Sequence, residues 1–62
     1  MDTIRTGLIK SIAEEKKAAS VYRRRAGIAH NKGDLKTERL YLHIANEEDT
    51  HASEYARRVR EV

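Results

Sequence analysis

Glu15 and Glu48 stand where the spacing of this chain calls for apolar residues, and His51 flanks Glu48. Glu15 lies between Ile12 and Ala19 in steps of three and four. Glu48 lies between Ala45 and Ala52 in the same way, and His51 follows Glu48 by three residues, so on a helix the two share a face. A carboxylate placed in an apolar stripe without a partner costs several kcal/mol or takes up a proton. A divalent cation is the simplest compensation. Carboxylate oxygens with an imidazole nitrogen form a hard to borderline donor set, suited to Fe, Mn or Zn rather than Cu(I). The candidate catalytic and metal-ligating residues are therefore Glu15, Glu48 and His51.

Two long helices would have to position them. The chain has no Pro and only three Gly, and Ala, Glu, Lys and Arg are abundant, all of which favours helix. One stripe reads Leu8, Ile12, Glu15, Ala19, Tyr22, Ala26, Ala29, with Ile4 extending it backwards. A second reads Tyr41, Ala45, Glu48, Ala52, Tyr55, Val59, Val62, flanked by Leu42, Ile44 and His51. Steps of three and four mark one face of a helix in each case. Between the stripes, Asn31-Lys32-Gly33-Asp34 is the strongest turn signal. Gly33 suits the left-handed position that ends a helix, and Asp34 suits the N-cap of the next. The spacing predicts helices near 3–30 and 35–60 joined by a turn at 31–34, antiparallel because the turn is short. Each is roughly 25 residues, or about 38 Å long at 1.5 Å per residue.

The whole chain, residues 1–62, reads as a single all-α domain, an antiparallel helical hairpin. A hairpin of this size cannot cover both stripes by itself. A two-fold dimer, the commonest homo-oligomer, would close the core as a four-helix bundle. Glu15 and Glu48 lie at similar distances from the turn, so antiparallel packing levels them. The dimer then gathers four carboxylates and two imidazoles, and two divalent ions would balance the four negative charges.

This pattern resembles the ferritin-like di-iron carboxylate superfamily, whose ligand set is a lone Glu on two helices and Glu-x-x-His on two others. Here Glu15 is the lone glutamate and Glu48-Asp49-Thr50-His51 the second element. Local text is similar to the rubrerythrin and encapsulated-ferritin branch. Glu15-Lys16-Lys17-Ala18-Ala19-Ser20-Val21-Tyr22 resembles its first-helix pattern of Glu with Tyr seven residues on. Ile44-Ala45-Asn46-Glu47-Glu48-Asp49-Thr50-His51-Ala52 resembles its second-helix pattern. The resemblance covers about residues 8–60. It implies that Glu48 bridges two metal ions while Glu15 and His51 bind terminally. It also implies an oxidoreductase that oxidises Fe(II) with oxygen or peroxide, with iron as cofactor, two ions per dimer, and Mn or Zn as alternatives. The chain departs from rubrerythrins in carrying one helix pair and no Cys. The C-terminal shell-targeting tail of encapsulated ferritins is absent after Val62, so encapsulation is not expected.

Other features read more plainly. Glu14 and Glu47 adjoin the proposed ligands but fall off the stripes and should be solvated, with Glu47 a candidate for lining a metal access path. Tyr22 and Tyr55 read as core aromatics, Tyr22 with a hydroxyl within reach of the site. His30 and His43 read as surface residues. Arg23-Arg24-Arg25 and Arg57-Arg58-Arg60 lack interleaved aromatics in a chain that also carries ten acids, so nucleic acid is not the expected partner. The net charge is +3, a mild excess. Without Cys, disulfides and thiolate sites are excluded. No apolar run approaches the roughly 20 residues that span a bilayer, and the start lacks a signal-like apolar stretch, so the expected compartment is the cytoplasm. The expected partners are a second copy or a higher homo-oligomer and metal ions, with no membrane. A metal-free structural or adaptor dimer, and a structural metal site without turnover, are the competing readings.

Overall fold

The computed structural model describes residues 3–62; the first two residues of the expected domain lie outside the described residues. Two helices make the whole architecture: α1, Thr3–Asn31, and α2, Leu35–Glu61. They pack side by side as a hairpin in a rod of 49 × 15 × 9 Å. The expected boundaries hold to within a residue at each end.

The turn has the chemistry its residues suggest. Gly33 adopts φ 74°, a left-handed conformation that costs a residue with a Cβ. Its N–H donates to the His30 carbonyl at 3.0 Å, and the Asp34 N–H donates to the Ala29 carbonyl at 2.9 Å. These two bonds form a Schellman motif that satisfies the last free carbonyls of α1. Asp34 then opens α2: its carboxylate accepts the Thr37 N–H at 3.1 Å and the Thr37 hydroxyl at 2.7 Å. One residue thus closes one helix and caps the next. The Asp34 carboxyl is held below its ordinary pKa, first by the Thr37 hydroxyl and then by the Thr37 amide, while slight burial opposes them.

The seam between the helices is built from alanine. Ala19, Ala26, Ala29, Ala45 and Ala52 are the buried apolar residues, and all five lie on the two stripes. Small side chains let the two backbones approach closely, so the seam is narrow and no large side chain is fully buried among the described residues. Tyr22 and Tyr41 stack across it, ring centroids 6.0 Å apart and 20° from parallel, with the Arg25 guanidinium 5.8 Å from the Tyr22 ring. Arg23 bonds to Asp49 on one flank, and His30 Nδ1 lies 3.1 Å from both oxygens of Glu38 beside the turn. Near the open end, the Arg5 guanidinium donates to the Val62 carbonyl at 3.2 Å.

A narrow seam leaves much apolar surface wet. Ile4, Ile9, Ile28, Leu35 and Leu40 are each more than half exposed. The hairpin presents 4857 Å² to solvent. A compact monomer of 7.1 kDa presents about 4,100 Å² by the usual scaling of surface with mass. The excess is close to the roughly 800 Å² that one partner contributes to a standard interface. No helix among the described residues is long and apolar enough to cross a membrane.

Candidate metal centre

Glu15 comes from the middle of α1, and Glu48 and His51 from the middle of α2. The alanines on either side explain how they meet. Ala19 and Ala45 bring the helices together on one side of this level and Ala52 on the other, leaving room between them for two carboxylates. Each of Glu15, Glu48 and His51 offers one ligand atom, and the three atoms lie within 4.8 Å of one another. His51 Nδ1 is 3.6 Å from Glu15 Oε2. Two ligands on opposite sides of one ion, with bonds of about 2.1 Å, stand about 4.2 Å apart. The observed span therefore closes onto a single ion with sub-ångström movement. Three protein donors leave further coordination positions open.

Two electrostatic observations bear on whether an ion fits. Glu15 Oε2 is buried and has no hydrogen-bond partner, since the His51 contact is too long to be one. A buried acceptor left unpaired costs about 1–3 kcal/mol, more when charged. Glu48 is held above its ordinary pKa. The largest cause is the Glu15 carboxylate, which favours the protonated form able to share a hydrogen bond with it. Burial and the Glu15 charge push the same way, Glu47 adds a little, and His51 opposes them. Both observations describe a pair of carboxylates short of positive charge, and a divalent cation with oxygen and imidazole donors supplies it. The residues present fit such an ion.

The neighbouring acids are sorted away from the site. Successive helical residues are turned by about 100°, so Glu47, Glu48 and Asp49 point in three directions. Glu47 is exposed and lies 3.4 Å from His43, one turn earlier. Asp49 bonds to Arg23 on α1, which holds its carboxyl below the ordinary range, against slight burial and with help from the Arg23 and Lys16 charges. Only Glu48 enters the seam. On α1, Glu14 is exposed and borders a shallow groove with Lys17, Ala18, Val21 and Tyr22, whereas Glu15 enters the seam. His51 is half exposed, with Glu54 and Tyr55 beside it around a smaller hollow. The ligand set thus opens onto one long face of the hairpin.

Three side-chain pairings between the helices go beyond the sequence analysis: Tyr22 with Tyr41, His30 with Glu38, and Arg23 with Asp49. Tyr41, on its stripe, is the stacking partner of Tyr22. The signal was available: residues 22 and 41 are as symmetric about the turn as residues 15 and 48. The His30–Glu38 contact joins two helices across the turn and had no such signal, because His30 is exposed. His43 is exposed, as expected. Compared with family models, curated proteins and solved structures, the chain matches none, so the chemistry of this site is read from its own residues.

Proposed function

We propose that the hairpin pairs with a second copy to make a ferritin-like four-helix bundle, and that the pair holds two iron ions on Glu15, Glu48 and His51 of each chain. The observation that carries this reading is the orphaned Glu15 Oε2, buried beside Glu48 and His51. In a metal-free adaptor, nothing would maintain two facing carboxylates in an alanine seam. The family resemblance implies that Glu48 would be shared by both ions, while Glu15 and His51 would bind terminally. The surplus of exposed apolar surface supports the dimer.

Two ferrous ions together supply the two electrons, and solvent the two protons, that take dioxygen to hydrogen peroxide or peroxide to water. The chain's own residues bind, orient and balance charge. The carboxylates favour the ferric product because their negative charge stabilises the higher positive charge. The half-exposed His51 leaves the site reachable from solvent, which lets Fe(II) arrive as substrate. The activity is thus an iron-oxidising or peroxide-consuming oxidoreductase.

Elemental analysis of purified protein, followed by addition of Fe(II) in air, tests the proposal. Ferric absorbance should grow faster than in buffer, saturating at first near two irons per dimer. Glu48→Ala should remove nearly all metal, while Glu14→Ala and Glu47→Ala should leave the metal content almost unchanged. Tight binding without faster oxidation would make the site structural. A well-folded monomer that binds no metal would overturn the reading.

A further inference from the structure

The open end of the hairpin, where α1 begins and α2 ends, is its most basic part. Glu15 beside Glu48, and Tyr22 beside Tyr41, show that residues whose numbers sum to about 63 lie level, so the first turns of α1 flank the last turns of α2. Within residues 3–13 and 50–62, Arg5, Lys10, Arg57, Arg58 and Arg60 stand against Glu54 and Glu61, a net +3; residues 14–49 hold eight Lys and Arg against seven acids, a net +1. Asp2, which precedes the described residues, brings this end to +2.

Some of these cations are engaged. Arg58 is 3.4 Å from Glu61. Arg5 donates to the Val62 carbonyl at 3.2 Å and reaches the Val59 carbonyl at 3.5 Å. Arg57 and Arg60, by contrast, have no ion pair or hydrogen bond among the described residues, and neither has the Ser53 hydroxyl. Ser53, Arg57 and Arg60 follow one another at steps of four and three, so they share one face of α2. That face carries an open hollow of about 280 Å³ lined by Thr50, Ser53, Glu54, Arg57 and Arg60. Arg57 comes nine residues after Glu48, two and a half turns of helix at 3.6 residues each, so the hollow faces away from the candidate metal ligands.

We propose that Ser53, Arg57 and Arg60 bind a phosphate group, carried by inorganic phosphate or by a phosphate monoester. The site needs neither metal nor a second copy. A guanidinium is a rigid fork of donors that matches phosphate oxygens and keeps its charge. The two forks are three residues apart, about 4.5 Å along the axis, near enough to grip one ion from two sides while the Ser53 hydroxyl donates from a third. Thr50 adds no donor, because its hydroxyl is given to the Asn46 carbonyl at 3.1 Å. Two features oppose an anion here. Glu54 lines the rim, and the last turn of a helix carries partial negative charge. Arg5, bonded to the last carbonyls of α2, offsets the second. The two unpaired guanidiniums outweigh the one carboxylate, and a dianion gains more from that surplus than a monoanion does.

The test is a titration of the 62-residue chain, as purified and again after dialysis against chelator, followed by amide NMR shifts. The probes are inorganic phosphate and glycerol phosphate, at near-neutral pH and fixed ionic strength. Saturable shifts should centre on residues 53–60 in both samples. Arg57→Gln and Arg60→Gln should each weaken binding roughly three- to tenfold. Glu54→Gln should tighten it. Arg24→Gln makes the same charge change far along α1 and should leave it unchanged. Equal binding of the two probes means that the phosphate group alone is read; tighter binding of the ester means that the hollow also holds what the phosphate is attached to. The proposal is overturned if acetate or chloride reproduces the shifts, if Arg24→Gln weakens binding as much as Arg57→Gln, or if the shifts centre on Glu15, Glu48 and His51. Absence of saturable binding overturns it as well. Because the chelator-treated sample carries the readout without metal, such a failure leaves the proposed function untouched.

Discussion

Replacing Glu15 with leucine should stabilise the metal-free protein while abolishing its response to metal. With Glu48 ionised, Glu15 Oε2 is buried without a hydrogen-bond partner, and removing it returns about 1–3 kcal/mol. The Glu15 side chain is 21 % exposed, so a leucine would bury most of its surface between Ile12 and Ala19, worth about 1–2 kcal/mol. Against this stands the long contact to a half-exposed His51, worth about 0–1 kcal/mol. The net gain is about 1–5 kcal/mol. In a domain of this size each kcal/mol moves Tm by roughly 4–8 °C, which gives a rise on the order of 5–40 °C. Wild type should instead gain from metal, by about 2.7 kcal/mol at a hundredfold excess over Kd. The assay is thermal melting by circular dichroism at one fixed chain concentration, with chelator and with Fe(II) or Zn(II) under anaerobic conditions. The leucine variant should melt highest with chelator and show no shift with metal. If it melts below wild type with chelator, Glu15 is a structural partner of His51 and the strain reasoning fails. If it still responds to metal, Glu15 is no ligand.

Three further outcomes follow from local geometry. Gly27 lies inside α1 with nothing within 4 Å of where a Cβ would go, so Gly27→Ala should stabilise by up to about 1 kcal/mol. Gly33 has equal space but φ +74°, so Gly33→Ala should destabilise by about 1–2 kcal/mol; chemical denaturation midpoints check both signs. Asp34 has a folded pKa below its ordinary 3.8, so its stabilising effect is fully present above that value and is lost as pH falls through the lower one. Asp34→Ala should therefore lose stability near neutrality and show a weaker drop as pH falls below the ordinary Asp value of 3.8 in urea melts. Glu48 behaves oppositely: its folded pKa lies above 4.5, so between the two values the folded form holds more protons than the unfolded one. Stability of the metal-free protein should then fall as pH rises from about 4.5 through the raised value. Added metal should reverse this trend, because it binds the deprotonated ligands; a metal-free protein most stable at about pH 7.5, well above the reference Glu value, would contradict it.

The sequence by itself determined the hairpin. Stripes at three- and four-residue steps, the absence of Pro and the Gly33-Asp34 pair leave little else for the backbone to do, because these are preferences set by residues close together in the chain. It also singled out Glu15, Glu48 and His51, since a charged residue on an apolar stripe is visible wherever the period is known. Their equal distance from the turn placed them level. The tertiary structure decided what periodicity cannot carry. It fully buried only alanines among the described residues, so that Leu8, Ile12 and Tyr55 are only half-buried although they share the stripes; how closely two helices approach depends on both faces together. It left one oxygen of Glu15 without a partner, a property of three side chains from two helices. It drew Asp49 away to Arg23 while its neighbour Glu48 stayed beside Glu15, because side-chain reach across a seam is set by the position of the opposite helix, which no single helix encodes.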